Sequence, residues 1–150
     1  MKARSSSFAD MRLRLVALDE VTGGQETKAS DVVPRISDSA FREALTEALR
    51  RAQVLDERAP GAAGGYRLSA EILSQDIKGT FDNTITLLVR YELGDPTGAM
   101  VWSDNLYAQS EMSPKDVFSG EERKRQMQAA AMRSNLKSLL EQLARVLPVP

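Results

Sequence analysis

The stretch from Gly65 to about Gln109 constrains this chain most, because its side chains alternate with period two through three successive segments. In the first, Tyr66 to about Ile77, Tyr66, Leu68, Ala70 and Ile72 fall on one side, and Arg67, Ser69 and Glu71 on the other. The second, about Thr84 to Leu93, sets Ile85, Leu87, Val89, Tyr91 and Leu93 against Thr84, Thr86, Leu88, Arg90 and Glu92. Its β-branched and aromatic residues suit a pleated surface. The third, about Ala99 to Gln109, keeps Met100, Trp102, Leu106 and Ala108 in one parity. Asp104 shares that side, so the pattern predicts a bulge or an early end to burial there. Lys78 to Asn83 and Gly94 to Gly98 carry the residues of hairpin loops, and the whole reads as an antiparallel meander.

Two amphipathic helices are available to cover one face of it. Ser37 or Ser39 suits an N-cap, and Phe41, Ala44, Leu45, Ala48, Leu49 and Ala52 then recur at helical spacing, with an end near Leu55. Asp56 to Gly65, with Pro60, reads as a connector. Near the carboxyl end, Ser119-Gly120-Glu121-Glu122 forms a capping box, and no breaker follows until Pro148. Ala129, Met132, Leu136, Leu139, Leu140, Leu143 and Leu147 make the packing stripe. Extended backwards it meets Arg125, so Glu121 to Gln128 reads as a polar, solvated stretch or a projecting arm. Ahead of the first helix, Met11 to Val21 is a further strand, with Leu13, Leu15 and Ala17 against Arg12, Arg14 and Val16. Residues 1–10 read as a polar leader and residues 11–150 as a single domain. The prediction is α+β: a two-layer sandwich of order β-α-β-β-β-α, two helices on one face of a four-stranded, mainly antiparallel sheet. At 150 residues, 42% of them apolar, the chain is long enough for one core.

Composition removes whole classes of chemistry. With no cysteine and no histidine, disulfides, thiolate catalysis and the commonest general base and metal ligand are absent from the chain. A net charge of -1 gives no general attraction to nucleic acid or anionic lipid. Glu71 with Glu92, or Asp82 with Asp104, are carboxylate pairs of a kind that any soluble protein contains, and no nucleophile motif accompanies them. We therefore expect no catalytic residue, no metal site and no cofactor. Gly23-Gly24 reads as a turn needing positive φ, or as a backbone cradle for an anion, although no Lys-Ser/Thr pair follows it. The surfaces available for contact are the loop Gly23, Gly24, Gln25 and Glu26, the sheet face carrying Arg67 and Arg90, and the polar helix start with Arg123 and Arg125. A second expectation is a pocket for a small apolar or lipid ligand between the layers, lined by Phe41, Trp102 and methionines. Self-association along an edge strand or the last helix is compatible with either.

The blocks Ala17 to Thr27, Ile36 to Leu45, Tyr66-Arg67-Leu68, Val89-Arg90-Tyr91 and Asn135 to Leu140 resemble the YajG-like small lipoproteins of Gram-negative envelopes. The order of elements is also similar to the auxiliary lipoproteins of envelope ABC transporters and, more distantly, to the amino-terminal domain of TolB and to LpoB. The resemblance covers most of the chain and brings no active site with it. It implies a periplasm-facing accessory module, anchored to the outer membrane through a lipidated cysteine that this sequence lacks and working on an envelope protein partner. Residues 1–10 would then be the tether.

Overall fold

Alternation through the meander becomes a sheet in the computed structural model, which describes residues 16–25, 35–56, 65–78, 83–112 and 120–147, without the side chains of 77, 78, 83, 111, 112 and 120–124. The strands are β1 (Val16–Thr22), β2 (Tyr66–Lys78), β3 (Asn83–Gly94) and β4 (Met100–Met112), in the spatial order β1-β2-β3-β4. Two helices, α1 (Asp38–Arg51) and α2 (Gly120–Val146), complete the order β-α-β-β-β-α. β1 runs parallel to β2 through the α1 crossover, and the other pairs are antiparallel hairpins.

One parity of the meander forms the floor of the core. Leu68, Ala70 and Ile72 of β2 are buried beside Ile85, Leu87, Val89, Tyr91 and Leu93 of β3, and both helices pack into the same cluster. A register shift between Ile72 and Ser74 makes Leu73 an extra residue on β2. Parity reverses there, so Gln75 lies opposite Leu87 and is buried. Its amide is fully used: Ile36 N–H donates to Oε1 at 2.8 Å, and Nε2 donates to the Ile36 carbonyl at 3.0 Å.

In three places the molecule departs from the sequence reading. On β1 the core parity is Val16 and Leu18, then Val21 beyond a shift in register, while Ala17 takes the other side. The parallel register decides this, since it sets Val16 beside Tyr66 and Leu18 beside Leu68. Leu13 and Leu15 lie outside the described residues. On β4 the irregularity falls not at Asp104 but at the strand's start, where the shift between Leu93 and Gly94 makes Val101 the extra residue. Asp104 stays in register opposite Tyr91 and is exposed. Third, α1 stops at Arg51 rather than near Leu55. Gln53 takes φ 61°, Val54 N–H returns to the Leu49 carbonyl, and Leu55 then bridges to Val16.

Both helices are fixed by local chemistry before they pack. Ser37 is the N-cap of α1, its Oγ accepting from Ala40 N–H at 3.1 Å, with Asp38 in the first turn and Arg50 and Arg51 in the last. Phe41, Leu45 and Leu49 are the residues it buries. On α2 the buried row is Met127, Ala131, Asn135, Leu136, Leu139 and Leu143, continued by Leu147 just past its end, with Met132 and Leu140 partly buried against it. Among the described side chains the row begins at Met127, so the stretch expected to be solvated already packs by that residue. Asn135 is the polar member of the row: Tyr91 Oη donates to its Oδ1 at 2.5 Å, and its Nδ2 donates to the Leu106 carbonyl at 2.7 Å. One amide thereby ties α2 to β3 and β4 together. Ser110 Oγ, donating to the Met127 carbonyl at 2.6 Å, adds a second tie between β4 and the helix.

Candidate functional site: the open sheet face and the sheet's two edges

Away from the helices the sheet presents the other parity of each strand. Arg67, Ser69 and Glu71 come from β2, Thr86, Leu88, Arg90 and Glu92 from β3, and Ser103, Asn105 and Tyr107 from β4. Register places Glu71 opposite Arg90, and Arg90 Nη1 donates to Glu71 Oε1 at 3.1 Å. With both side chains about half exposed, the pair contributes at most about 1 kcal/mol. Around it lies a shallow depression of about 150 Å³ lined by Glu20, Thr22, Ser69, Ala70, Glu71, Arg90 and Glu92. Glu71 and Glu92, paired in the sequence reading, share this depression with the arginine; Asp82 lies outside the described residues.

The glycine pair behaves as a turn packed from both sides. Gly23 has φ +84°, and a Cβ there would stand 2.2 Å from the Ile72 carbonyl oxygen. A Cβ on Gly24 would stand 2.3 Å from the Asp38 nitrogen. Gly24 N–H donates to Asp38 Oδ1 at 2.6 Å, and Gln25 N–H donates to the Ile36 carbonyl at 2.9 Å. The Gly24 N–H is thus taken by the chain's own Asp38 side chain. Gln25 is exposed, and Glu26 lies outside the described residues. Arg67 and Arg90 do share one face. Arg125 is exposed on α2, in the other layer, and the Arg123 side chain is outside the description. Phe41 and Met127, expected around a ligand pocket, are fully buried in the core cluster, with Trp102 packed against it.

Among the described residues, shifted titrations belong to structural contacts. A hydrogen bond from Arg51, at 2.8 Å, holds the Glu47 carboxyl below its usual value. The Thr97 hydroxyl, with the amides of Ala99 and Thr97, does the same for Asp95 in the β3–β4 turn. Burial pushes the Tyr91 hydroxyl up, which keeps it neutral as the donor to Asn135.

The sheet ends differently on its two sides. β1 is covered on its outer edge at Val16: its N–H donates to the Val54 carbonyl at 2.9 Å, and Asp56 N–H donates to its carbonyl at 2.6 Å. The Arg42 guanidinium adds a hydrogen bond to the Asp19 carbonyl at 2.8 Å. β4, of thirteen residues, has no strand beyond it among the described residues. Met100, Val101 and Tyr107, 60%, 48% and 58% exposed, are the large apolar side chains left in solvent among those residues, and all three belong to β4. Sequence reasoning left this strand's edge unplaced. Its signal is a composition without lysine, arginine or proline, which acquires meaning only once the strand is known to be terminal.

No protein-family profile and no curated protein sequence matches the chain. Among solved structures it is similar to the hypothetical protein CT253 of Chlamydia trachomatis, at 15% identity and a TM-score of 0.63 over 89% of this chain and 97% of that one. It is also similar to a "putative lipoprotein" of Caulobacter crescentus, at 15% identity and 0.55 over 93% and 92%. A third is PelC of Paraburkholderia phytofirmans, a dodecamer, at 23% identity and 0.52 over 87% of each chain. These likenesses establish the fold, shared over nearly the whole length with bacterial proteins that include one described as a "putative lipoprotein". They do not single out the YajG-like group.

Proposed function

We propose that this chain is a non-catalytic accessory module of the bacterial cell envelope, held at the outer membrane by a lipid anchor in the manner of YajG-like lipoproteins and acting through protein contacts. The observation that carries the reading is the division of labour between the two sheet faces. One is filled by a single continuous core that takes in Phe41 and Met127, the residues a ligand pocket would have needed. The other is a broad polar surface with a shallow, charged depression around Arg90. Such a surface suits a polar partner better than an apolar cargo. Likeness to a "putative lipoprotein" of Caulobacter crescentus supports the envelope location.

The test is photo-crosslinking in cells that express the protein with its native flanking sequence, the reactive group placed at Arg90 on the sheet face or at Arg51 on α1. A discrete adduct in the membrane fraction from Arg90 and not from Arg51 is the expected result. A protein found wholly in the cytosol, with no adduct from either position, overturns the reading.

A further inference from the structure

We propose that the chain pairs with a second copy of itself through β4, edge to edge and antiparallel, so that two four-stranded sheets become one. A bare sheet edge is a template for another strand, and folded proteins usually blunt it with lysine, proline, a short strand or a covering loop. β1 has one of these devices at its start, where the backbone of Val54 and Asp56 covers Val16. β4 has thirteen residues and neither lysine nor proline among them. Its charges are Asp104 and Glu111 alone.

The occupant follows from what a second copy has to offer. β2 and β3 are internal and β1 is covered at Val16, so among the described residues the long edge with no strand beyond it that a copy brings is its own β4. Like meeting like is an isologous contact, which closes at two copies. Leu106 is the midpoint of Met100–Met112, and an antiparallel register centred on it overlaps both strands along their full length. In that register Asp104 lies opposite Ala108, and Glu111 opposite Val101, so no carboxylate meets another. On the open face Asn105 lies opposite Tyr107 of the second copy, twice. The two-fold axis stands perpendicular to the sheet, which leaves all helices on one side and joins the two polar faces into one. This inference does not depend on where in the cell the protein resides.

Sedimentation of the purified full chain tests it with two variants at exposed positions. The wild type is expected at twice 16.5 kDa. Asn105→Lys with Tyr107→Lys sets like charges opposite each other at both crossings, and is expected to halve the mass while circular dichroism and the melting transition stay those of a folded chain. Asn105→Lys with Tyr107→Glu sets opposite charges there, and is expected to keep the doubled mass. A monomeric wild type, a ring or other higher assembly, a dimer that survives the double-lysine change, or a Lys/Glu variant that falls to monomer would each overturn the proposal.

Discussion

β1 and β4 are both terminal strands of one sheet, yet among the described residues backbone covers the start of the first and no strand lies beyond the second. At β1 the closure is made by backbone: the segment after α1 returns to hydrogen-bond Val16 from both sides, and the strand leaves through a glycine turn seated on the Ile72 backbone. At β4 the ties come from the helix layer, through Asn135 at the Leu106 carbonyl and Ser110 at the Met127 carbonyl, and the outer edge keeps its exposed methionine, valine and tyrosine. Burial therefore stabilises both strands, while among the described residues only the first has backbone laid against its outer edge. Holding a strand in register and closing its edge are separate tasks, done here by different residues.

The largest way to disturb the closed side is Gly23→Ala. Positive φ and a Cβ placed 2.2 Å from the Ile72 oxygen leave no room to relax without moving β2, so a loss of about 3 kcal/mol or more in denaturant unfolding is expected. On the open side the corresponding change is Asn135→Leu, which strands the Tyr91 hydroxyl and the Leu106 carbonyl in the core. A cost of about 2–3 kcal/mol is expected, with about 1–2 kcal/mol for Tyr91→Phe. The double variant should lose less than the sum, because both changes break one network. Strict additivity would show that the amide does not join helix to sheet.

Arg42→Ala sharpens the contrast at lower cost, about 0.5–1 kcal/mol, for an exposed hydrogen bond to the Asp19 carbonyl. Its clearer signature is faster amide exchange in β1 with β4 unchanged. The smallest effect concerns the turn that launches β4. The Asp95 carboxyl sits below its usual 3.8 in the folded chain, so the stability it adds is complete above that value and fades as pH falls through the lowered one. Asp95→Asn should accordingly melt below the wild type at neutral pH, and the gap should close on acidification; a constant gap would mean that the ionised form does not matter.

How far the sequence reached depends on what kind of signal each feature leaves. β2 and β3 were legible because alternation over many residues has one explanation, and the placement of Arg67 and Arg90 on one face came with it. The extra residues Leu73 and Val101 were not, since a bulge inserts an ordinary side chain and shows itself only against a partner strand. Gln75 hid behind that same inversion. Asn135 was recoverable: it stands four residues from Ala131 and from Leu139, both fully buried, and a polar residue in such a row calls for a buried partner. On β1 the alternation before Val16 points to the opposite parity, whereas the neighbouring strand sets the phase. Gly23-Gly24 was legible as a turn, but its tight seat against Ile72 and Asp38 is a tertiary fact.

The most direct test of the contrast between the two edges is amide hydrogen exchange of the purified full chain at two concentrations, one well above and one well below that at which the copies associate. The account predicts that amides of β4 from Met100 to Met112 exchange more slowly as concentration rises, while those of Val16–Thr22 do not change. Exchange in β4 that is the same at both concentrations, or slowing confined to β1, would contradict it.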